Sequence, residues 1–224
     1  MGTIPGSMHA DGLDFPPPTP SDLGDHEVPR DGDALEGVRV ALMVTGGIAA
    51  MKAPMVARAL RRQGASVTAF ATTEALRYVG RDALAWACDR PVVVELSADA
   101  EHLSDTAPFD AYLVAPATYS VIGKCAHGIA DTPVTGALAS GIGRMERGHA
   151  AVLFAPTMHG SMHTSILEGN LRALASIGCT VIPPRDAYGK HNLPDEAELV
   201  QAVARAVSAR RAPSVRQAVS PRPQ

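Results

Sequence analysis

The residues of this chain best suited to chemistry stand at the ends of three apolar runs: Thr45-Gly46-Gly47-Ile48, Ala115-Pro116-Ala117-Thr118 and Pro156-Thr157-Met158-His159. Glycine lets a backbone come close to a ligand, and the free N–H groups at a helix start favour an anion. The hydroxyls of Thr72, Thr73, Thr118 and Ser120 could serve the same anion or merely cap the helices they precede; both can hold at once. Gly-Gly on its own is as consistent with packing as with phosphate binding. His102, in the acidic stretch Asp99-Ala-Glu-His-Leu103, and His159 carry imidazoles suited to proton transfer near neutral pH. A lone histidine more often caps or packs. Cys88, Cys125 and Cys179 are far apart and in no metal spacing, so each reads as an inert buried thiol and no metal site is expected.

The runs that position these residues alternate between strand and helix. Residues 38–45 are continuously apolar apart from Arg39, as suits a strand inside a parallel sheet covered on both faces. A helix is expected from Gly46-Gly47 through Arg62, with Gly64 as its C-cap. Residues 66–71 read as a second strand, then a helix headed by Thr72-Thr73-Glu74 through Val79, a helical segment at 84–88 and a short edge strand at 92–96. The central strand at 112–114 is expected to leave the sheet at Pro116, which cannot continue a ladder. Helices follow at 122–130 and 131–139, a strand at 150–155, a helix to about 177, a strand at 179–182, a loop at 185–192 and a last helix at 194–210. The alternation predicts an α/β protein with one doubly wound parallel sheet, a Rossmann- or flavodoxin-like three-layer sandwich.

The chain of 224 residues is 46% hydrophobic with a net charge of −3, enough for one domain with a full core. Residues 1–36 hold eight acids against Arg30 alone and include Pro16-Pro17-Pro18 and Pro20; they are expected to be a disordered acidic tail. The domain should span 37–210, and 211–224 a disordered basic tail. No basic face suggests nucleic acid, no run approaches the roughly 18 apolar residues of a membrane span, and no signal peptide is apparent. A cytoplasmic protein is therefore expected.

Residues 38 to about 207 resemble the homo-oligomeric flavin-containing cysteine decarboxylases, a family that includes phosphopantothenoylcysteine decarboxylases and the peptidyl-cysteine decarboxylases of modified-peptide biosynthesis. The likeness rests on Thr45-Gly-Gly-Ile-Ala-Ala-Met-Lys-Ala-Pro54, Thr72-Thr73-Glu-Ala75, His102 eight residues before Asp110, Ala115-Pro-Ala-Thr118 with Lys124, Gly128-Ile-Ala-Asp131, Pro156-Thr-Met-His-Gly-Ser-Met162 and Asn170-Leu171. Each piece is weak alone; seven in order are specific. The resemblance implies FMN, with its phosphate at Gly46, Gly47, Ile48 and Thr72 or Thr73, and its ring near Ala117, Thr118 and Ser120. It implies a homotrimer, in some members a dodecamer, with the flavin between subunits. The implied reaction is oxidation of the cysteine to a thioaldehyde, with sulfur as electron sink while the carboxylate leaves as CO₂, giving an enethiol.

His102 occupies the position of this family's catalytic histidine, His159 is a second catalytic candidate, and Met158, His159, Met162 and Lys190 are expected in the substrate site. His159 stands where the family has asparagine, and His163 where a tryptophan is frequent. The stretch Arg185-Asp-Ala-Tyr-Gly-Lys-His-Asn192 lacks the flap cysteine with which phosphopantothenoylcysteine decarboxylases reduce the enethiol. On that departure the favoured reading is oxidative decarboxylation of a peptide's C-terminal cysteine to an aminoenethiol, as in lanthipeptide-like biosynthesis. The alternatives are phosphopantothenoylcysteine decarboxylation in coenzyme A biosynthesis, or a catalytically inactive flavin-binding regulatory subunit. A prenyl-transferring relative is disfavoured because Gly46-Gly47-Ile48 lacks the serine-bearing turn.

Overall fold

The structure, a computed structural model, describes residues 17–103 and 107–211; the outer parts of both expected tails lie outside the described residues. Five parallel strands form the main sheet in the order β2-β1-β3-β4-β6. They are β1 (Arg39–Val44), β2 (Ser66–Ala71), β3 (Ala111–Ala117), β4 (Ala151–Pro156) and β6 (Thr180–Val181). Along β1, Val40, Leu42 and Val44 enter one core layer with α1 (Ala53–Arg62), α2 (Arg81–Cys88) and α6 (Glu196–Arg211). Ala41 and Met43 enter the opposite layer with α3 (Tyr119–Ala126), α4 (Pro133–Glu146) and α5 (Ser165–Ser176). Successive side chains of a strand point to opposite faces, so an all-apolar run demands helices on both sides. The doubly wound three-layer architecture is the one expected.

Several local expectations are corrected. Pro116 does not end β3: the strand runs on to Ala117, with a register shift against β4 between Val114 and Ala117, and the Ala115–Pro116 peptide is cis. A proline fits inside a sheet at such an irregularity because it has no ladder hydrogen bond to lose there. Gly46-Gly47 leads into a 3-10 turn, Ile48–Lys52, before α1 starts at Ala53. The helix expected at 72–79 is a turn capped by the Thr72 hydroxyl, followed by the 3-10 turn Ala75–Arg77. The strand expected at 92–96 is reduced to a bridge between Val93 and Phe70.

The loop expected at 185–192 is a hairpin, β7 (Arg185–Ala187) and β8 (Lys190–Asn192), and β8 also pairs antiparallel with β5 (Met158–His159). Its turn places Tyr188 and Gly189 at φ of 54° and 65°. Two consecutive positive φ values are those of the mirror-image turns that suit the strand twist, and glycine takes them without penalty. On the amino-terminal side, Leu35 is fully buried, and the N–H groups of Asp31 and Leu35 donate to the carbonyls of Arg62 and Gln63 at the end of α1. The residues just before the boundary expected at 37 are thus held on the domain.

Two glycines of different surroundings test this packing. A Cβ at Gly141 on α4 would stand 2.9 Å from three ring carbons of the fully buried Tyr112, whereas at Gly169 on α5 it would meet nothing within 4 Å. Gly141→Ala is expected to lose about 1–3 kcal/mol. Gly169→Ala is expected to gain up to about 1 kcal/mol from helix propensity. Urea denaturation of both variants checks the pair; equal midpoints would sink the packing account.

Candidate functional site

The strand order reverses direction between β1 and β3, because β2 lies on one side of β1 while β3 and β4 lie on the other. In open α/β sheets the crevice at such a switch point binds ligands. Here the two strand ends are joined by Thr45, which is 2% exposed. Its hydroxyl donates to the Pro116 carbonyl at 2.7 Å, and it accepts the Thr118 N–H at 3.3 Å; Thr118 Oγ1 lies 3.1 Å away. Thr118 is the N-cap of α3, yet its hydroxyl makes no capping bond. The N–H groups of Tyr119, Ser120 and Val121, which have no partner inside the helix, therefore face an uncapped end.

A small cleft of about 260 Å³ opens there, lined by Thr45, Gly46, Thr72, Thr118, Ser120 and Thr135. Lys124 also lines it, but its Nζ is already 2.8 Å and 3.0 Å from the two carboxylate oxygens of Asp131. That bond from Lys124 is the first cause holding the Asp131 carboxyl below its usual value. The cleft is thus a cradle of hydroxyls and backbone N–H groups rather than of free cations, a setting suited to a phosphate. Gly46 admits the turn at 72–74, since a Cβ on it would overlap Glu74.

A second cleft of about 710 Å³ meets the first at Gly46, Thr118 and Ser120. Its apolar lining is Ile48, Met51, Pro116, Tyr119, Met158 and Met162, and its polar lining includes Lys52, His159, Arg185, Lys190 and His191. This size is within the range of small-molecule sites. His159 Nδ1 accepts the Ser161 N–H at 3.1 Å and lies 2.8 Å from the Ser161 hydroxyl. An acceptor at Nδ1 fits the tautomer with its proton on Nε2, so His159 is arranged as a neutral donor. Tighter carboxylate binding by a doubly protonated ring would require breaking that bond.

Of the residues singled out in the sequence, Thr45, Gly46, Gly47, Ile48, Thr72, Thr118, Ser120, Met158, His159, Met162 and Lys190 line the two clefts. Thr73 is exposed and Ala117 fully buried, and neither lines a cleft. His102 lies in the turn before residues 104–106 and lines neither cleft; its Nδ1 is buried without a partner among the described residues. Arg185, His191 and Asn192 are rim residues that sequence reasoning misses, because 185–192 reads as a loop. Tyr188-Gly189 between Arg-Asp-Ala and Lys-His-Asn is the hairpin signal that could have found them. Burial raises the thiols of Cys88 and Cys125 to about 12 and of Cys179 to about 11, with Glu146 adding to the last.

A phosphate-type cradle at the switch point of a doubly wound sheet, continuous with a large apolar cleft, defines a mononucleotide-binding α/β protein. The sequence profile of the Flavoprotein family matches residues 30–208, and the chain belongs to that family. The bifunctional coenzyme A biosynthesis protein CoaBC of Thermococcus kodakarensis is 34% identical over 176 residues, covering 76% of this chain and 42% of the relative. This chain thus spans about two fifths of the length of that relative. Among solved structures, the FMN-dependent cysteine decarboxylase SpaF superposes with a TM-score of 0.67 at 24% identity, over 80% of this chain and 99% of that one. A PPC decarboxylase variant complexed with pantothenoylaminoethenethiol superposes with a TM-score of 0.61 at 21% identity, over 74% and 96%. At those identities the likeness is one of fold. Family and neighbours together bear out the expected family, its flavodoxin-like fold and FMN as the expected cofactor. The clefts fit that group, with hydroxyls and N–H groups for its phosphate and an apolar wall for its ring.

Two outcomes test the site. Gly46→Ala is expected to push Glu74 and the Thr72 turn aside and to lower flavin retention on purification, read as the visible absorbance per protein; undiminished retention would remove Gly46 from the cradle. With raised pKa values the three thiols stay protonated at mildly alkaline pH. Alkylation by iodoacetamide in the folded protein is therefore expected to be about a hundredfold slower, or more, than after unfolding. A fast-reacting cysteine in the folded protein would contradict the burial of these thiols.

Proposed function

We propose that this chain is an FMN-dependent decarboxylase of a cysteine-derived carboxylate, and that phosphopantothenoylcysteine is its substrate. The observation that carries the reading is the joined pair of clefts: a hydroxyl and N–H cradle, then an apolar wall, then a rim bearing His159, Lys190 and Arg185. Relatives described as coenzyme A biosynthesis proteins support the substrate, and one structural neighbour was solved with an enethiol, pantothenoylaminoethenethiol.

FMN, when bound, supplies the two-electron acceptor that the cysteine carbon needs. The chain's own residues hold and orient. The start of α3 with Thr72, Thr118 and Ser120 binds the phosphate, while Ile48, Met51 and Met158 exclude water from the ring. The Nε2–H of His159 donates to the substrate carboxylate and is charge-neutral, so the carboxylate is oriented without being held as an ion pair, which eases its loss as CO₂. Lys190 and Arg185 attract the substrate's remaining anionic groups.

His102 is assigned the removal of a substrate proton. Lying outside its own chain's clefts, it would serve a neighbouring copy in the homotrimer that the resemblance implies. The exposure of Ile48, Met51 and Met55, at 70%, 60% and 54%, supports such an assembly, since they form an uncovered apolar edge beside the cleft.

A second reading, oxidative decarboxylation of a peptide's C-terminal cysteine, is favoured by one observation. None of Cys88, Cys125 and Cys179 lines the large cleft, so no thiol of the described residues stands ready to return the enethiol to a saturated thiol.

Anaerobic incubation of the flavin-bound protein with phosphopantothenoylcysteine, and separately with peptides ending in cysteine, decides between them by mass spectrometry and flavin absorbance. Phosphopantothenoylcysteine is expected to lose CO₂ alone, with the flavin absorbance unchanged at the end because the two electrons taken up are returned to the product. If only the peptides react, losing CO₂ and two hydrogens while the flavin bleaches, the second reading replaces the first. His102→Asn is expected to keep its flavin and to lose about a hundredfold or more in turnover; full activity in that variant would remove His102 from the reaction.

A further inference from the structure

Beside the large cleft, five side chains are joined end to end. Asp186 Oδ1 lies 2.6 Å from His191 Nδ1, and His191 Nε2 lies 2.8 Å from His163 Nδ1. His163 Nε2 lies 3.0 Å from Glu168 Oε1, and Arg172 donates to Glu168 Oε2 at 2.6 Å. The chain links β7, β8, the residue that ends the 3-10 turn Gly160–Met162, and α5. His191 lines the large cleft and its side chain is 17% exposed.

The two carboxylates constrain where the protons of this chain can sit. An ionised carboxylate can only accept, so Asp186 requires the Nδ1–H of His191, and Glu168 requires the Nε2–H of His163. A neutral imidazole has a single N–H. If both rings were neutral, two lone pairs would face each other across the 2.8 Å contact. One further proton between the rings turns that contact into a charge-assisted hydrogen bond. Both carboxylates are solvent-accessible, at 68% for Asp186 and 40% for Glu168. Glu168 is also held below its usual value, first by the bond from His163 and then by Arg172.

We propose that His163 and His191 hold one proton in common and act as a positioning pair, tying the β7–β8 hairpin to α5 and so fixing the cationic rim of the cleft. The consequence for substrate rests on the proposed function; the shared proton does not. The charged and titratable groups on the surrounding elements are Arg185 and Asp186 on β7, Lys190 on β8, His159 on β5, and Glu168 and Arg172 on α5.

The tie requires one proton between the rings. With none, two lone pairs face each other across the 2.8 Å contact; with two, two N–H donors do, and either arrangement breaks it.

The test uses the full-length, flavin-bound protein labelled with ¹⁵N-histidine, with ring nitrogen shifts followed from about pH 5 to 8. His163 and His191 are expected to report one common step, and His163→Phe is expected to move the His191 curve. Amide exchange across 185–192 is expected to rise about tenfold in His163→Phe, the size of one charge-assisted bond. His163→Asn, which keeps a donor near the Nδ1 position, should restore protection without restoring its pH dependence. A His191 titration indifferent to His163→Phe overturns the shared proton, and unchanged exchange overturns the positioning role. If the wild-type protein decarboxylates no cysteine substrate, the proposed function fails while both of these readouts still decide the pair. Where phosphopantothenoylcysteine is turned over, His163→Phe should raise KM and leave kcat in place; the opposite split overturns the pair's effect on the rim.

Discussion

The hydroxyl of Thr45 holds the site together. It closes the gap between the ends of β1 and β3, where the sheet's winding reverses and the two crossovers diverge. Two polar groups meet it there, the Pro116 carbonyl and the Thr118 N–H, and a buried polar group left without a partner costs about 1–3 kcal/mol. The same contact engages the Thr118 side chain, so α3 begins without a side-chain cap. A residue that would ordinarily stabilise its own helix instead leaves that helix's first N–H groups open to a ligand. One threonine thus joins the two strand ends and the start of α3.

From that point the site divides by physical type. An anion in the small cleft would meet dipoles and hydroxyls, because Lys124 is paired with Asp131 and the other charged residue lining it is the acid Glu74. A phosphate held this way is coordinated by rigid backbone rather than by a flexible ammonium, which favours a resident group over one that must exchange. The large cleft is lined by further cations, Lys52 at the end of the 3-10 turn Ile48–Lys52 and Arg185 and Lys190 on the hairpin.

The sequence is legible where one physical requirement dominates. The apolar runs at 38–45 and 150–155 could only be strands buried on both faces, and the alternation of runs specifies the three layers. Pro116 misleads because its ring excludes it from a regular ladder, and the irregularity against β4 that accommodates it depends on the partner strand, which local sequence does not specify. Thr72 and Thr73 are indistinguishable in sequence; the turn places one in the cleft and the other in solvent. The hairpin at 185–192 is hidden by polar strands too short for a period to emerge, although Tyr188-Gly189 carries the turn signal. His102 is found by resemblance alone, and its placement outside the clefts of its own chain is a property of tertiary structure that spacing along the sequence cannot express.

Relatedness and local chemistry bear on different parts of the molecule. The match to a coenzyme A biosynthesis protein covers 76% of the chain, and the Flavoprotein profile covers residues 30–208, which include the sheet, both core layers and the clefts. The polar rim of the large cleft is where this chain's local chemistry bears on the proposed substrate. There this chain has a hairpin pinned on one side by strand pairing to β5 and on the other by contact of His191 with His163, and its three cysteines lie elsewhere, with thiols raised well above neutral pH. A rim held from two sides and lacking a thiol offers cationic groups to an anionic substrate but no thiol proton to its product. Turnover of phosphopantothenoylcysteine on this scaffold would therefore have to return the two electrons from the reduced flavin by a route that uses none of these cysteines.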